Sequence, residues 1–148
     1  MRISAKGRYG LAAMVYLVNA QESLKCVTVA KVAEDLGVSK IYLEQVFAML
    51  KKGGLVFSVK GANGGYQLSR SGEKITVYDV VKVIESSLFE TGLPMLSEKA
   101  APLESTLNTR VWEELDRTTE VCLTNIRLLD LAQEATKLRA ECEFMYYI

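Results

Sequence analysis

Gly37 and the pair Gly53-Gly54 punctuate the chain between residues 28 and 54, and that punctuation limits the fold more than any other feature. Thr28 is a predicted N-cap for a short helix from Val29 to Leu36, with Val29, Val32, Ala33 and Leu36 on one face and Gly37 as its stop. Ser39 is the predicted cap of a second helix, Lys40 to about Lys52. Its apolar positions Leu43, Val46, Phe47 and Leu50 fall at i, i+3, i+4 and i+7. Beyond Gly54, the run LVFSVKGANGGYQLS alternates apolar and polar residues around a turn rich in Gly and Asn, a β-hairpin signal. Helix, tight turn, helix and Gly-tipped hairpin is the order of a winged helix-turn-helix.

The flanks extend this unit. Leu11, Met14, Val15 and Val18 recur at helical spacing, predicting a first helix over residues 8–20. Thr76 is a predicted cap for a helix from Val77 to Glu85, with Val77, Val80, Val81 and Ile84 buried. Residues 86–105 hold both prolines, Pro94 and Pro102, and read as a linker loop. A longer helical pattern runs from Thr106 to about Leu123, striped by Leu107, Val111, Leu115, Thr118 and Cys122. Such a stripe is either a dimer interface or part of the chain's own core. Thr124 is a predicted cap for a last helix ending near Leu138. The fold class is therefore mainly α with a β-hairpin wing: a DNA-binding unit over residues 1–85, a linker over 86–105, and a dimerisation helix with a tail over 106–148.

Stepping 100° per residue from Leu43 puts Ile41, Glu44, Gln45, Ala48 and Lys52 on the face opposite the buried one. Small and polar side chains of this kind suit a major groove about 12 Å wide. Gln45 can pair with an adenine edge, Glu44 can accept from a cytosine amino group, and Ile41 or Ala48 can touch a thymine methyl. Ser39 and Lys40, at the start of the helix, are placed for phosphate. Lys60 beside the Gly61–Gly65 tip, with Asn63 in that tip, offers a cation on a slim backbone that fits a minor groove. The alternative is an ordinary amphipathic helix with a solvated face. Charge bears on the choice. Residues 1–74 hold 11 Lys and Arg against 5 Asp and Glu, whereas residues 75–148 hold 7 against 13, so the formal neutrality conceals a cationic half suited to a polyanion.

Composition narrows the remaining classes. The chain has no histidine, which removes the usual general base and the commonest metal ligand. Its three cysteines, Cys26, Cys122 and Cys142, lack metal-ligand spacing and point to reduced thiols. No apolar run is long enough to span a membrane and no secretory start is present, so a soluble cytoplasmic protein is expected. An enzyme is the third choice, behind a DNA reader and a winged-helix adaptor that does not read DNA.

The runs ISAKGRYGLAAMVYL, SKIYLEQVFAMLKKGGLVFSVKGANGGYQLS and ITVYDVVKVIE resemble the repressor family that contains the iron-sulfur regulator IscR, the nitric-oxide sensor NsrR and the cysteine-metabolism repressor CymR. The motifs YLEQ and GGY carry the likeness, which covers essentially the whole chain. The resemblance implies a homodimeric winged-helix repressor of a pseudo-palindromic operator, dimerising through the helix that begins at Thr106. It places Ser39, Tyr42, Glu44 and Gln45 at the groove, Lys60 in the wing, and Ser4, Lys6 and Arg8 near phosphates. The family often carries arginine where Lys60 stands, so the wing here presents a point charge rather than a bidentate fork. Cluster-binding members place three cysteines in the loop before the dimerisation helix, and residues 86–105 hold none. An iron–sulfur cluster is therefore not expected, and no other cofactor or metal is implied.

Two further features lie outside the DNA unit. Cys26, next to Lys25, is a candidate redox switch, because a nearby cation stabilises the thiolate that oxidants attack; its alternative is an inert small hydrophobe beside Val27. The tail EFMYYI resembles the aromatic-aromatic-isoleucine end of the cysteine-metabolism repressor. That likeness implies a partner, cysteine synthase, bound through Tyr146, Tyr147 and Ile148. The alternative is that the tail packs back onto the dimer.

Overall fold

The computed structural model describes residues 3–21, 25–89 and 94–147. Helix α1 (Ala5–Gln21) starts three residues before the expected boundary. Ser4 caps it, with Oγ accepting from the Gly7 amide at 3.1 Å and the carbonyl accepting from the Arg8 amide at 3.1 Å. Glycine lowers helix propensity, yet α1 carries two because it lies close to its neighbours. A Cβ on Gly10 would stand 2.1 Å from Ile84 Cδ1.

Helices α2 (Val29–Leu36) and α3 (Lys40–Lys52) have the expected bounds. Thr28 Oγ1 accepts from the Lys31 amide at 3.2 Å, a cap contributing about 1 kcal/mol. Gly37 closes α2 in the left-handed conformation at φ 65°, where a Cβ would be penalised. Ser39 departs from expectation: it occupies the N-cap position in extended backbone, but its side chain makes no cap hydrogen bond. Tyr16 donates to Asp35 Oδ2 at 2.6 Å and Lys31 Nζ lies 2.8 Å from Asp35 Oδ1, tying α1 to α2. Lys31 and Tyr16 together hold the Asp35 carboxyl below its ordinary range.

The wing is a two-stranded antiparallel hairpin of β1 (Val56–Val59) and β2 (Gly65–Leu68), with Val56 opposite Leu68 and Val59 opposite Gly65. Its root is apolar: Leu55, Val56 and Leu68 are buried, and the Phe47 and Tyr66 rings stand 4.7 Å apart. Helix α4 (Val77–Ile84) opens on a capping box between Thr76 and Asp79, and ends one residue before the expected Glu85. The core gathers Met14, Val32, Leu43, Val46, Phe47, Leu50, Ile75 and Val80, with Leu128 entering from the last helix.

The carboxy-terminal third differs most from expectation. Residues 86–105 are not a plain loop, because single 3-10 turns occupy Ser86–Leu88 and Glu98–Ala100 and helix α5 (Ala101–Leu107) follows. Pro102 sits in the first turn of α5, where its missing N–H breaks no helical bond. A π turn (Asn108–Trp112) and helix α6 (Glu113–Thr124) continue α5 into one rod. Thr124 is the last residue of α6 and not a cap. The final helix, α7, runs Leu128–Tyr146 behind Arg127, eight residues past the expected end, so most of the tail is helical.

The corner between α6 and α7 is clipped to the chain just beyond the wing. The Val77 amide donates to the Ile126 carbonyl at 2.9 Å and the Leu128 amide to the Ile75 carbonyl at 3.0 Å. Arg127 Nη1 donates to the Glu73 carbonyl at 2.6 Å. Among the described residues no helix is long and apolar enough to cross a membrane.

Candidate nucleic-acid interface

Helix α3 buries Leu43, Val46, Phe47 and Leu50 and exposes Ile41, Glu44, Gln45, Ala48 and Lys52. Ile41 is 71% exposed. A β-branched apolar side chain held in water at the amino-terminal end of a polar strip is suited to a thymine methyl. Lys40 Nζ lies 3.5 Å from Glu44 Oε1, so the one acid on this face is accompanied by a cation. Lys51 Nζ donates to Ser58 Oγ at 2.6 Å, which joins the end of α3 to the wing and sets their relative attitude.

At the wing tip Lys60, Gly61, Ala62 and Asn63 are exposed, and the turn closes through a 3.0 Å bond from the Gly64 amide to the Gly61 carbonyl. Cys26 is half-buried at the foot of the wing. It lines a cavity of about 530 Å³ with Lys25, Thr28, Ala62, Asn63 and Gly64.

The start of α1 lies beside α3. The Tyr9 and Tyr42 rings meet edge to face at 5.6 Å, and Lys6 Nζ stands 5.8 Å from the centre of the Tyr42 ring. Tyr42 is thus half committed to packing, while Tyr9, which sequence reasoning missed, is exposed beside it. Arg8 is exposed. Ser4 is engaged within the chain: besides capping α1, its amide donates to Glu85 Oε1 at 2.9 Å and its hydroxyl donates to the same oxygen. Contacts spanning 81 residues leave no local signal.

On the rod, Leu103, Leu107, Val111, Trp112, Leu115 and Val121 are all exposed. The Leu107–Cys122 stripe therefore does not pack into the chain's own core. At the end of α7, Phe144, Met145 and Tyr146 are exposed, as is Tyr147 just beyond it, the last two at 90% and 92%. Ile148 lies outside the described residues.

The Rrf2 family, described as iron-dependent transcriptional regulator, matches residues 3–134. The chain belongs to the Rrf2 family. It is 36% identical over 134 residues to the HTH-type transcriptional regulator IscR of Cereibacter sphaeroides, covering 88% of this chain and 86% of that one. Among solved structures, CymR, the global cysteine regulator of B. subtilis, superposes with a TM-score of 0.72 at 29% identity, over 90% of this chain and 98% of that one. IscR of T. potens gives 0.69 at 35% identity, over 91% and 88%. The protein is accordingly a winged-helix, DNA-binding transcriptional regulator of the Rrf2 family and not an enzyme.

The iron in the family's description does not fit the donors present. Cys26, Cys122 and Cys142 lie on three separate elements, and among the described residues no three His, Cys, Asp or Glu side chains stand together as a metal site. Thiolate ligation of a cluster needs such convergence.

Proposed function

We propose that this Rrf2 regulator is a homodimeric repressor that reads a pseudo-palindromic operator without an iron–sulfur cluster. One α3 enters each major groove, and Lys60 and Asn63 of each wing enter the flanking minor groove. The observation that carries this reading is the exposed strip of Ile41, Glu44, Gln45, Ala48 and Lys52, backed by a buried stripe and joined to a cationic wing. The exposed apolar rod supports the dimer, since contiguous apolar surface in water marks an interaction site.

Titration of operator and random DNA at two salt concentrations tests the assignment. Gln45→Ala and Glu44→Ala should each cost about 1–3 kcal/mol against the operator while sparing random DNA. Lys52→Ala and Lys60→Ala should weaken binding to both and flatten its salt dependence, because each neutralised phosphate releases counterions. Four variants that bind both DNAs like the parent would remove the groove assignment.

The regulon is proposed to concern cysteine and sulfur metabolism, with the tail docking to cysteine synthase. The exposure of Tyr146 and Tyr147 supports this, because burying such side chains against a partner yields about 1.5–3 kcal/mol each. Calorimetry should detect binding of the full chain to the cognate cysteine synthase and none after deletion of Ile148. Silence with the full chain would end the idea.

A further inference from the structure

We propose that Glu85 is a positioning residue for DNA binding: its carboxylate, reaching across from the end of α4, seats the first turn of α1 so that Lys6 and Arg8 meet DNA phosphates beside the start of α3. This deepens the groove reading above and rests on it.

The first turn of α1, residues 5–8, is an unfavourable place for cations. The unpaired amides at a helix start carry partial positive charge, which disfavours Lys and Arg there and favours an acid. Yet this turn holds Lys6 and Arg8 and no acidic residue. Glu85 supplies from α4 the anion that the turn lacks. Its Oε1 accepts from the Ser4 amide at 2.9 Å and from the Ser4 hydroxyl, and Ser4 Oγ in turn accepts from the Gly7 amide at 3.1 Å. An acid within the turn itself would repel the phosphates that its cations attract. Glu85 is half-buried against the turn and leaves Arg8 exposed.

The two helices are shaped for this contact. A Cβ on Gly7 would stand 2.5 Å from Glu85 Oε1, and one on Gly10 would stand 2.1 Å from Ile84 Cδ1, so two glycines on one face of α1 admit the end of α4. The backbone of Glu85 is held on both sides: its amide donates to the Val81 carbonyl at 2.7 Å, and its carbonyl accepts from the Leu88 amide at 2.9 Å. The start of α1 also touches α3, through Lys6 Nζ at 5.8 Å from the centre of the Tyr42 ring and the Tyr9 ring at 5.6 Å. Glu85 thereby fixes the two cations relative to the helix that enters the major groove.

Binding of the full chain to a mixed-sequence DNA duplex tests the proposal, because positioning and plain electrostatics differ in sign. Removing an acid that merely lay near a polyanion would tighten binding. Glu85→Ala should instead weaken it about 5- to 10-fold and make the slope of log K against log salt shallower by about 1 to 2, the share of two phosphate contacts. Glu85→Gln, which keeps an oxygen for Ser4, should recover part of the loss. Gly7→Ala should reproduce the loss by displacing the carboxylate, and it carries the test if circular dichroism shows that Glu85→Ala has lost helix. In the parent, Lys6→Ala with Arg8→Ala should cost at least as much as Glu85→Ala, whereas in the Glu85→Ala background the same pair should add little. Equal or tighter binding by Glu85→Ala, an unchanged salt slope, full additivity, or a parent indifferent to the loss of Lys6 and Arg8 overturns the proposal. The groove reading is scored separately, by Gln45→Ala on operator DNA, so the failure of one is not mistaken for the failure of the other.

Discussion

Leu115→Asp should leave the chain folded while converting it to a monomer that has lost operator binding. Leu115 is 57% exposed and lies on a rod where Leu103, Leu107, Val111, Trp112 and Val121 also face water. Within one chain the substitution therefore changes stability by no more than about 0.5 kcal/mol, as for an ordinary surface site. In the proposed dimer the same position lies on the apolar stripe, and the symmetry buries the new carboxylate twice. Desolvating two unpaired carboxylates costs several kcal/mol, enough to dissociate most micromolar dimers. Losing the second half-site removes the effective-concentration advantage, so operator affinity should fall at least about 100-fold. Sedimentation and circular dichroism read the two halves of the result separately. A helical, dimeric variant at micromolar concentration would refute the interface.

Gly65→Ala should detach the wing. Gly65 has φ 151°, a region that side chains with a Cβ rarely enter. An added Cβ would also stand 2.6 Å from both the carbonyl carbon and the oxygen of Val27. Those are backbone atoms of the bridge that holds the wing, in which the Val27 amide donates to the Tyr66 carbonyl at 3.0 Å and the Tyr66 amide to the Val27 carbonyl at 2.8 Å. Neither partner can give without breaking that pair. Conformational strain and overpacking together should cost about 2–4 kcal/mol. Gly61→Ala is the control: φ is 114° but nothing lies within 4 Å of its Cβ, so only the strain remains. Urea denaturation should rank Gly65→Ala well below Gly61→Ala. Equal midpoints would show that the Val27–Tyr66 bridge does not hold the wing.

The α2–α3 unit was legible to the residue because Thr28 and Gly37 act locally, through a cap and a left-handed turn. The exposed strip of α3 was legible because its periodicity follows directly from helix geometry. Pro102 misled, since the same residue that breaks a helix interior is welcome in a first turn, and composition does not distinguish the two. Helix α7 outlasted its apolar stripe because residues 139–146 form helix with few contacts to their own chain. The engagement of Ser4 by Glu85 and the packing of Tyr9 on Tyr42 were invisible for a different reason. Each joins elements far apart in sequence, and no local pattern records such a meeting.

The clip at the α6–α7 corner has a mechanical consequence. Twenty-four residues from Ala101 to Thr124 make a shaft of about 36 Å, and its attachment to the DNA-reading body lies at one end, where Arg127 and the segment Ile75–Val77 grip it. A shaft held at one end is a lever. A tilt of about 5° at the grip moves the far end by about 3 Å. That is close to the rise of one base pair. In the proposed dimer, the angle at the grip would set the separation of the two reading heads.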